Sequence, residues 1–161
     1  MATNTYLQIE PIKGESTDKG HEDWIEVQSY SHGLTQPSSG PSGTGGRASA
    51  RADFQPLTIM KLVDKASPDL HLFCATGKHI AKLVLEAWQD TGEKFCFWKY
   101  EMENAMISSI SVSGGGSDRP MESVSFVYDK ISWTYTPAKD DGSKGTDVGP
   151  KNFDLKTNQG T

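Results

Sequence analysis

The sequence predicts a mainly antiparallel β protein, either a sandwich or a small barrel, with one short α-helix. Three observations predict this fold class. Apolar and polar residues alternate in several short runs, which is the two-residue period of a strand with one buried face. Gly, Pro, Asp and Ser separate these runs. A single segment between them breaks the period and has residues typical of a helix start and a helix stop.

The first strands are predicted in the N-terminal part of the chain. Leu7 and Ile9 alternate with polar neighbours, and a second alternating run covers residues 25–30. A third run starts at Leu57 and continues through Ile59. Each run is short and ends near turn-forming residues, as expected for strands of an antiparallel sheet.

A short helix is predicted next, starting at Ser67 and stopping at Gly77. A serine at this position can accept a hydrogen bond from a backbone N–H that the first helical turn leaves free. A glycine can adopt the left-handed conformation that ends a helix. Leu70, Phe73 and Cys74 fall on one face at helical spacing, and this face is expected to pack against the strands.

The alternation resumes after the helix and continues for most of the remaining chain. These later runs cover residues 83–87, 95–100, 110–112, 124–128 and 131–135. With the three earlier runs they give about eight strands, enough to form a sandwich or a small barrel.

Two regions have a different composition. Residues 37–53 include a stretch of Pro, Ser, Gly and Thr that offers no side chain to a core, and they are predicted to form an extended flexible loop. Residues 137–161 are predicted as an extended C-terminal tail. Within it Phe153 and Leu155 alternate with polar residues, which predicts a possible last strand. We treat residues 1–161 as a single domain.

Composition and charge exclude several classes of partner. The net charge is −5 and the pI is near 5.3, which argues against nucleic acid because phosphate binding requires a basic surface. Cys74 and Cys96 are too few for a disulfide scaffold and are expected to be free thiols in a reducing compartment. The N-terminus has no signal-peptide pattern and no apolar run has the length of a membrane span, so we expect synthesis in the cytoplasm without stable membrane insertion.

The motifs of common enzymes and cofactor sites are missing from the sequence. The four histidines have no metal-binding spacing, and the sequence 77–79 (Gly-Lys-His) lacks the Ser or Thr that follows the lysine of a phosphate-binding loop. No serine lies in a GxSxG motif, and neither cysteine has an evident histidine partner. We therefore predict no catalytic residues, no cofactor and no metal.

Several stretches, in this order and spacing, resemble one protein family. They are Ile12-Lys13-Gly14-Glu15-Ser16 with Ile25-Glu26-Val27, Phe54-Gln55-Pro56-Leu57 leading to Lys61, Asp64-Lys65-Ala66-Ser67-Pro68 with Thr76-Gly77-Lys78, Val112-Ser113-Gly114-Gly115, Glu122-Ser123-Val124, and Ile131-Ser132-Trp133-Thr134-Tyr135. Together they resemble the hemolysin-coregulated protein (Hcp) family, which forms the inner tube of bacterial type VI secretion systems. The resemblance covers nearly the whole chain and departs from the family in the 37–46 stretch and the tail.

The resemblance implies a fold, an assembly and a role. It implies a two-sheet antiparallel β-barrel with one short α-helix packed on its side, assembling as a homohexameric ring. Stacked rings would form a tube that carries and protects small effectors in its lumen. The other implied partners are the sheath, spike and baseplate proteins of the machine. The chain would leave the cell through this machine without a cleaved signal peptide.

Two sets of residues are candidates for these contacts. We expect the long loop and its base to reach the next ring, through Ser38, Gly40, Gly43, Gly45, Arg47, Arg51 and Asp53. We expect the polar strand with Ser29, Ser31 and His32 to face the lumen and its effectors.

Three other functions remain possible at this stage. A phage-tail-tube-like protein of a contractile injection system would share the barrel and the ring but load different cargo. A monomeric ligand-binding β-barrel would need an apolar cavity and would form no ring. A small β-barrel hydrolase would need a cluster of acid, base or nucleophile that the sequence does not show.

Overall fold

The computed structural model describes residues 3–37, 51–90, 92–116 and 118–161 of the chain. Within these residues it has strands β1 to β12 and helix α1. Their bounds are β1 Thr3–Ile9, β2 Ile25–Val27, β3 Ser29–Ser31, β4 Leu34–Thr35, β5 Asp53–Phe54, β6 Leu57–Leu62, α1 Ser67–Thr76, β7 Ile80–Gln89, β8 Phe95–Ser113, β9 Met121–Val127, β10 Lys130–Tyr135, β11 Val148–Asp154 and β12 Gln159–Gly160.

Ten of the strands form two antiparallel sheets that share strand β8. Sheet A has the order β12-β11-β10-β8-β7-β1-β2, and sheet B has the order β3-β6-β9-β8. The sheets are joined a second time where β2 leads directly into β3, and there the Gln28 N–H donates to the Met60 carbonyl at 2.8 Å. The prediction of an antiparallel β fold with one short helix is confirmed. Hydrogen-bonded closure into a barrel is not among the pairings of the described residues.

Strand β8 differs most from the sequence prediction. It is one strand of 19 residues, where the sequence predicted two separate strands at 95–100 and 110–112. Its first part pairs with β7 and β10 in sheet A, and its second part pairs with β9 in sheet B. A register shift between Ile107 and Ser109 and a positive φ of 50° at Asn104 accompany the change of sheet. The alternation is lost at these irregular positions although the strand continues.

The core lies between the two sheets. Sheet A contributes Leu7, Ile9, Leu83, Leu85, Met102 and Ile131, and sheet B contributes Leu57, Ile59, Val124 and Phe126. Strands β6 and β9 bury alternate residues, so there the period found in the sequence corresponds to the inward face of sheet B. Strand β1 also buries Tyr6 beside Leu7, because the outer face of sheet A is partly covered. Burial of this apolar surface is the main favourable contribution to folding.

Helix α1 packs on β8 and confirms most of the helix prediction. Leu70 and Phe73 are buried, and Gly77 ends the helix in the left-handed conformation with φ 66°. The capping role predicted for Ser67 is wrong, since the helix has no side-chain cap and its N-cap residue is Ala66. The Ser67 hydroxyl instead accepts the Asp64 N–H and donates to the Glu122 carboxylate.

The C-terminal region adds β11 and β12 to sheet A. Strand β11 pairs with β10 over a register that runs from Lys130↔Asp154 to Tyr135↔Val148. Strand β12 pairs only with Phe153 and Asp154 at the end of β11. Among the described residues, no helix has the length and apolar character needed to span a membrane.

Candidate functional site

Two of the predicted lumen residues are exposed on the outer face of sheet B. Ser29 and Ser31 alternate with Tyr30 along β3, and both serines are exposed. His32 lies on the other side of the chain. Its ring packs 5.2 Å from that of Tyr100 in the core and hydrogen-bonds to the Tyr128 hydroxyl. The structure therefore separates His32 from the two serines with which the sequence analysis grouped it.

The two serines belong to a larger uncharged surface, which we call the hydroxyl face. Strand pairing aligns one row through Ser31, Thr58, Ser125 and Ser109, and a second row through Ser29, Met60, Ser123 and Ser111. In the first row the Thr58 and Ser125 hydroxyls are 2.9 Å apart and hydrogen-bond to each other. The next outward positions are Leu62, Met121 and Ser113. The described residues of this face therefore include no Lys, Arg, Asp or Glu.

The outer face of sheet A is charged. The residues of this charged face are Lys82, Glu86, Lys99, Glu101, Glu103, Lys130 and Asp154. Lys99 and Glu101 pair at 3.1 Å, and Lys130 lies 3.8 Å from Glu103. Such exposed pairs contribute only about 0–1 kcal/mol each to stability. The outer surface of sheet A thus carries charged side chains, and the described outer surface of sheet B carries none.

The charged residues nearest to the hydroxyl face point into the protein. Lys61 is 0% exposed and Glu122 is 1% exposed, and they form an ion pair across β6 and β9. The Lys61 ammonium also donates to Asp64 Oδ1 at 2.9 Å and to the Ser67 hydroxyl at 3.3 Å. This cluster connects sheet B to the start of α1. Sequence reasoning missed its role, although the alternation that buries Leu57 and Ile59 also places Lys61 inside.

A second buried polar group holds the segment between β1 and β2 on the outer face of sheet A. The His21 ring stacks on Tyr6 with centroids 4.3 Å apart. Its Nδ1 atom is 2.8 Å from Asp18 Oδ2, and its Nε2 atom is 3.3 Å from Glu86 Oε1. The indole rings of Trp24 and Trp88 pack perpendicular to the imidazole, with centroids 4.7 Å and 4.8 Å away.

The base of the long loop is a short hairpin, which we call the stem. It consists of β4 and β5, with Leu34 opposite Phe54 and Thr35 opposite Asp53. Asp53 therefore lies in a strand, and the Arg51 guanidinium donates to the Leu155 carbonyl. The other predicted loop residues, Ser38, Gly40, Gly43, Gly45 and Arg47, lie outside the described residues.

Residues 3–37, 51–90, 92–116 and 118–161 contain no group of three or more His, Cys, Asp or Glu side chains that could hold a metal ion. Both cysteines are free, and burial raises the pKa of the Cys96 thiol to about 12. A thiol with this pKa stays protonated at neutral pH and is a poor nucleophile.

Comparison with known proteins identifies the family. The family described as "Type VI secretion system effector, Hcp" matches residues 6–135. This chain belongs to the Hcp family. It is 34% identical over 155 residues to Protein hcp1 of Pseudomonas aeruginosa, with 95% of this chain and 94% of that protein covered. The resemblance found in the sequence is thereby confirmed.

A second relative and a solved structure agree with this family. The Major exported protein of P. aeruginosa is 28% identical, with 89% of this chain and 95% of that protein covered. A solved structure of a type six secretion system protein has a TM-score of 0.95 at 35% identity, with 99% of this chain and 100% of that chain covered. This chain is therefore an Hcp protein of a type VI secretion system with the fold of its structural relatives.

Proposed function

We propose that this Hcp chain forms homohexameric rings that stack into the inner tube of a type VI secretion system. The family match over residues 6–135 is the observation that supports this function most strongly. In this assembly we infer that each chain is a small β-barrel. The sharing of β8 by sheets A and B and the direct passage of β2 into β3 support this inference. The same match supports a structural role without catalysis.

In the proposed ring the hydroxyl face lines the lumen and the charged face points outward. Ser29 and Ser31 then lie on the lumen wall, where small effectors are held, and His32 does not. A wall of hydroxyl and thioether groups offers weak, short-range contacts rather than ion pairs. Contacts of this strength would hold a cargo during transport and release it after delivery.

Ring closure needs two different lateral surfaces on each chain, because a six-fold ring uses heterologous contacts. The free edge of sheet A is one candidate. There Tyr135 and Val148 face each other across β10 and β11, and they are 45% and 57% exposed. Exposed apolar residues at a strand edge are typical of a surface that another chain covers.

Ring stacking is assigned to the loop at 37–53, which includes Arg51 just before the stem and Asp53 within the stem. Ordering a long Gly- and Ser-rich segment costs conformational entropy, so this contact is weak. Weak contacts suit a tube that assembles for one firing event and then falls apart. The sheath, the spike and the baseplate are the proposed outer and terminal partners. The proposed route out of the cell is this machine, in agreement with the name of the exported relative.

The deciding experiment is size-exclusion chromatography with light scattering, followed by negative-stain imaging of the main peak. We expect a ring-shaped particle with a central hole and a mass six times the 17.6 kDa of one chain. A monomer at micromolar concentration would overturn the ring and would favour the monomeric ligand-binding barrel instead.

A further inference from the structure

His21 is a titratable side chain that is only 2% exposed although it lies outside the core between the two sheets. It belongs to residues 10–24, which we call the β1–β2 segment. Its ring stacks on Tyr6 of β1 and is packed perpendicular to the indole rings of Trp24 and Trp88. Three aromatic rings thus contact the imidazole, and little of its surface is left to water.

Both ring nitrogens of His21 meet a carboxylate. The Nδ1 atom is 2.8 Å from Asp18 Oδ2 in the same segment, and the Nε2 atom is 3.3 Å from Glu86 Oε1 on β7. An ionised carboxylate only accepts hydrogen bonds, so each nitrogen must carry a hydrogen if both contacts are hydrogen bonds. Only the imidazolium ion has two N–H groups, because the neutral ring would turn a lone pair toward one of the carboxylates.

The tyrosine beneath the imidazole does not titrate in its place. Burial, and then the negative charges of Asp18, Glu26 and Asp90, raise the pKa of Tyr6 above its ordinary value of 10.0. Its phenol therefore stays uncharged near neutral pH. The carboxylates that surround this ring also favour a positive charge on the imidazole stacked against it.

Two cations interact at longer range with the carboxylates that hold the imidazole. Lys94 interacts with Asp18, and Lys99 interacts with Glu86. Each lysine forms a closer ion pair with another carboxylate, at 3.0 Å and 3.1 Å respectively. Within the described part of the chain, His21 is thus the group that bridges the two carboxylates.

The backbone hydrogen bonds of the β1–β2 segment join the two halves of the segment to each other. The Gly14 N–H donates to the Asp23 carbonyl at 2.8 Å, and the Asp23 N–H donates to the Ser16 carbonyl at 3.0 Å. The Ser16 N–H donates to the Trp24 carbonyl at 3.0 Å. The side chain of His21 bonds this paired part of the segment to β7 of sheet A. The exchange of these three amides therefore reports whether the segment is closed.

We propose that His21 is a pH-sensitive clasp: as the imidazolium ion it links Asp18 of the β1–β2 segment to Glu86 of sheet A, and loss of its proton loosens the segment. Its contribution is present in full below about pH 6.5, the ordinary pKa of a histidine, and is lost as the pH rises beyond that value. The neutral ring keeps one of the two charge-assisted hydrogen bonds and loses the other. The clasp lies within one chain and does not depend on ring formation.

The test follows His21 and the segment over the same range, from about pH 5.5 to about pH 8.5. NMR of the imidazole nitrogens records the loss of the proton. Hydrogen exchange of the Gly14, Ser16 and Asp23 amides, expressed as protection factors, records the opening of the segment. We expect protection to fall about tenfold, with the same pH midpoint as the His21 titration. Protection that does not change with pH, or that changes with a different midpoint, would overturn the proposal.

Two variants and a matched control assign the effect to this side chain. His21→Gln cannot titrate. Glu86→Gln keeps the imidazole but gives it an amide that can donate to a neutral Nε2 atom, so that loss of the proton costs no hydrogen bond. In both variants we expect protection to change less than about twofold over the same range.

His71→Gln is the control, because His71 is exposed on α1 and its Nδ1 atom bonds to the Ser67 carbonyl of the same helix. This variant should keep the wild-type pH dependence of the three amides. If His71→Gln removes that dependence, or if His21→Gln or Glu86→Gln retains the tenfold change, His21 is not the clasp.

Discussion

Lys61 and Glu122 show how a buried charge can be tolerated inside a small β protein. The ammonium of Lys61 lies among Glu122 Oε1, Asp64 Oδ1 and the Ser67 hydroxyl. A charge removed from water without such partners would cost several kcal/mol. The group therefore stabilises one particular packing of α1 against sheet B rather than adding a large net stability.

Removal of one partner should be far more costly than removal of both. Lys61→Met leaves Glu122 and Asp64 as buried carboxylates without their cation, and we expect a loss of about 3–5 kcal/mol in the free energy of unfolding. The double variant Lys61→Met with Glu122→Leu should recover the part of this loss that is due to Glu122, since Asp64 still accepts the Ala66 N–H. Urea denaturation of all three proteins measures both quantities. A double variant as unstable as the single one would contradict this account of the pair.

His32 should make the folded state sensitive to acid. Burial lowers the pKa of His32 below its ordinary value of 6.5, so the unfolded chain binds a proton more readily than the folded one. The contribution of His32 is complete above about pH 6.5 and is lost as the pH falls from there toward the lower folded pKa.

A variant isolates this effect from the other histidines. His32→Gln keeps a donor for the Tyr128 hydroxyl but cannot titrate. Between pH 7 and pH 5 its unfolding free energy should fall less steeply than that of the wild type, as measured by denaturant titration at each pH. Equal slopes for the two proteins would show that His32 does not contribute.

The sequence contains the signal for the direction of Lys61, but the sequence analysis missed it and placed His32 on the same face as Ser29 and Ser31. Lys61 lies two residues after Ile59 and four after Leu57 in β6, so its side chain points to the same, inward side of sheet B. That Glu122 lies opposite it depends on the register of β6 with β9, and the two residues are 61 positions apart in the chain. The hydroxyl face could be predicted as polar strand by strand, but its assembly into rows needed the same register.

At the scale of elements, strand β11 depends on one glycine. Gly149 has a φ of 106°, and a Cβ atom placed there would lie 2.7 Å from the Trp133 carbonyl oxygen. This is where the register between β10 and β11 shifts, between Trp133 and Tyr135. The close approach of the two backbones therefore requires a residue without a side chain.

Gly149→Ala should release the edge of sheet A while leaving the core in place. We expect faster hydrogen exchange for the β11 amides and a loss of about 1–3 kcal/mol in stability. Gly115→Ala is a suitable control, because a Cβ atom there has nothing within 4 Å. Unchanged exchange in β11 would show that the strand can move to accept the methyl group.

Elements with a regular period were predictable, and irregular ones were not. Helix α1 was found because its apolar face and its final glycine are local signals. Strand β8 was divided in two because Asn104 and the bulge near Ile107 interrupt the alternation without ending the strand. The stem was missed because β4 and β5 are too short to show a period.

At the scale of the whole molecule, two exposed apolar residues can be used to locate the proposed ring contact. Val148 on β11 and Leu72 on α1 are both 57% exposed. Only Val148 lies at the free edge of sheet A that we assign to a neighbouring chain. Val148→Asp should therefore shift the protein from rings to monomers, since a charge buried at an interface lacks a partner.

Leu72→Asp is the matched control and should leave the ring mass unchanged. Both variants should keep the secondary structure of the wild type, since both side chains are exposed in a single chain. Light scattering at equal concentrations decides between them. If Val148→Asp stays hexameric, or if Leu72→Asp dissociates the ring, the lateral contact lies elsewhere.

The continuity of strand β8 has a mechanical consequence. In the proposed tube, a force applied at one end would pass through every subunit, and a sandwich of separate sheets could yield by sliding. Here one covalent backbone runs through both layers and is paired with β7 and β10 in one and with β9 in the other. Shear between the layers would have to break several rows of hydrogen bonds at once, so each subunit resists it as a single rigid piece.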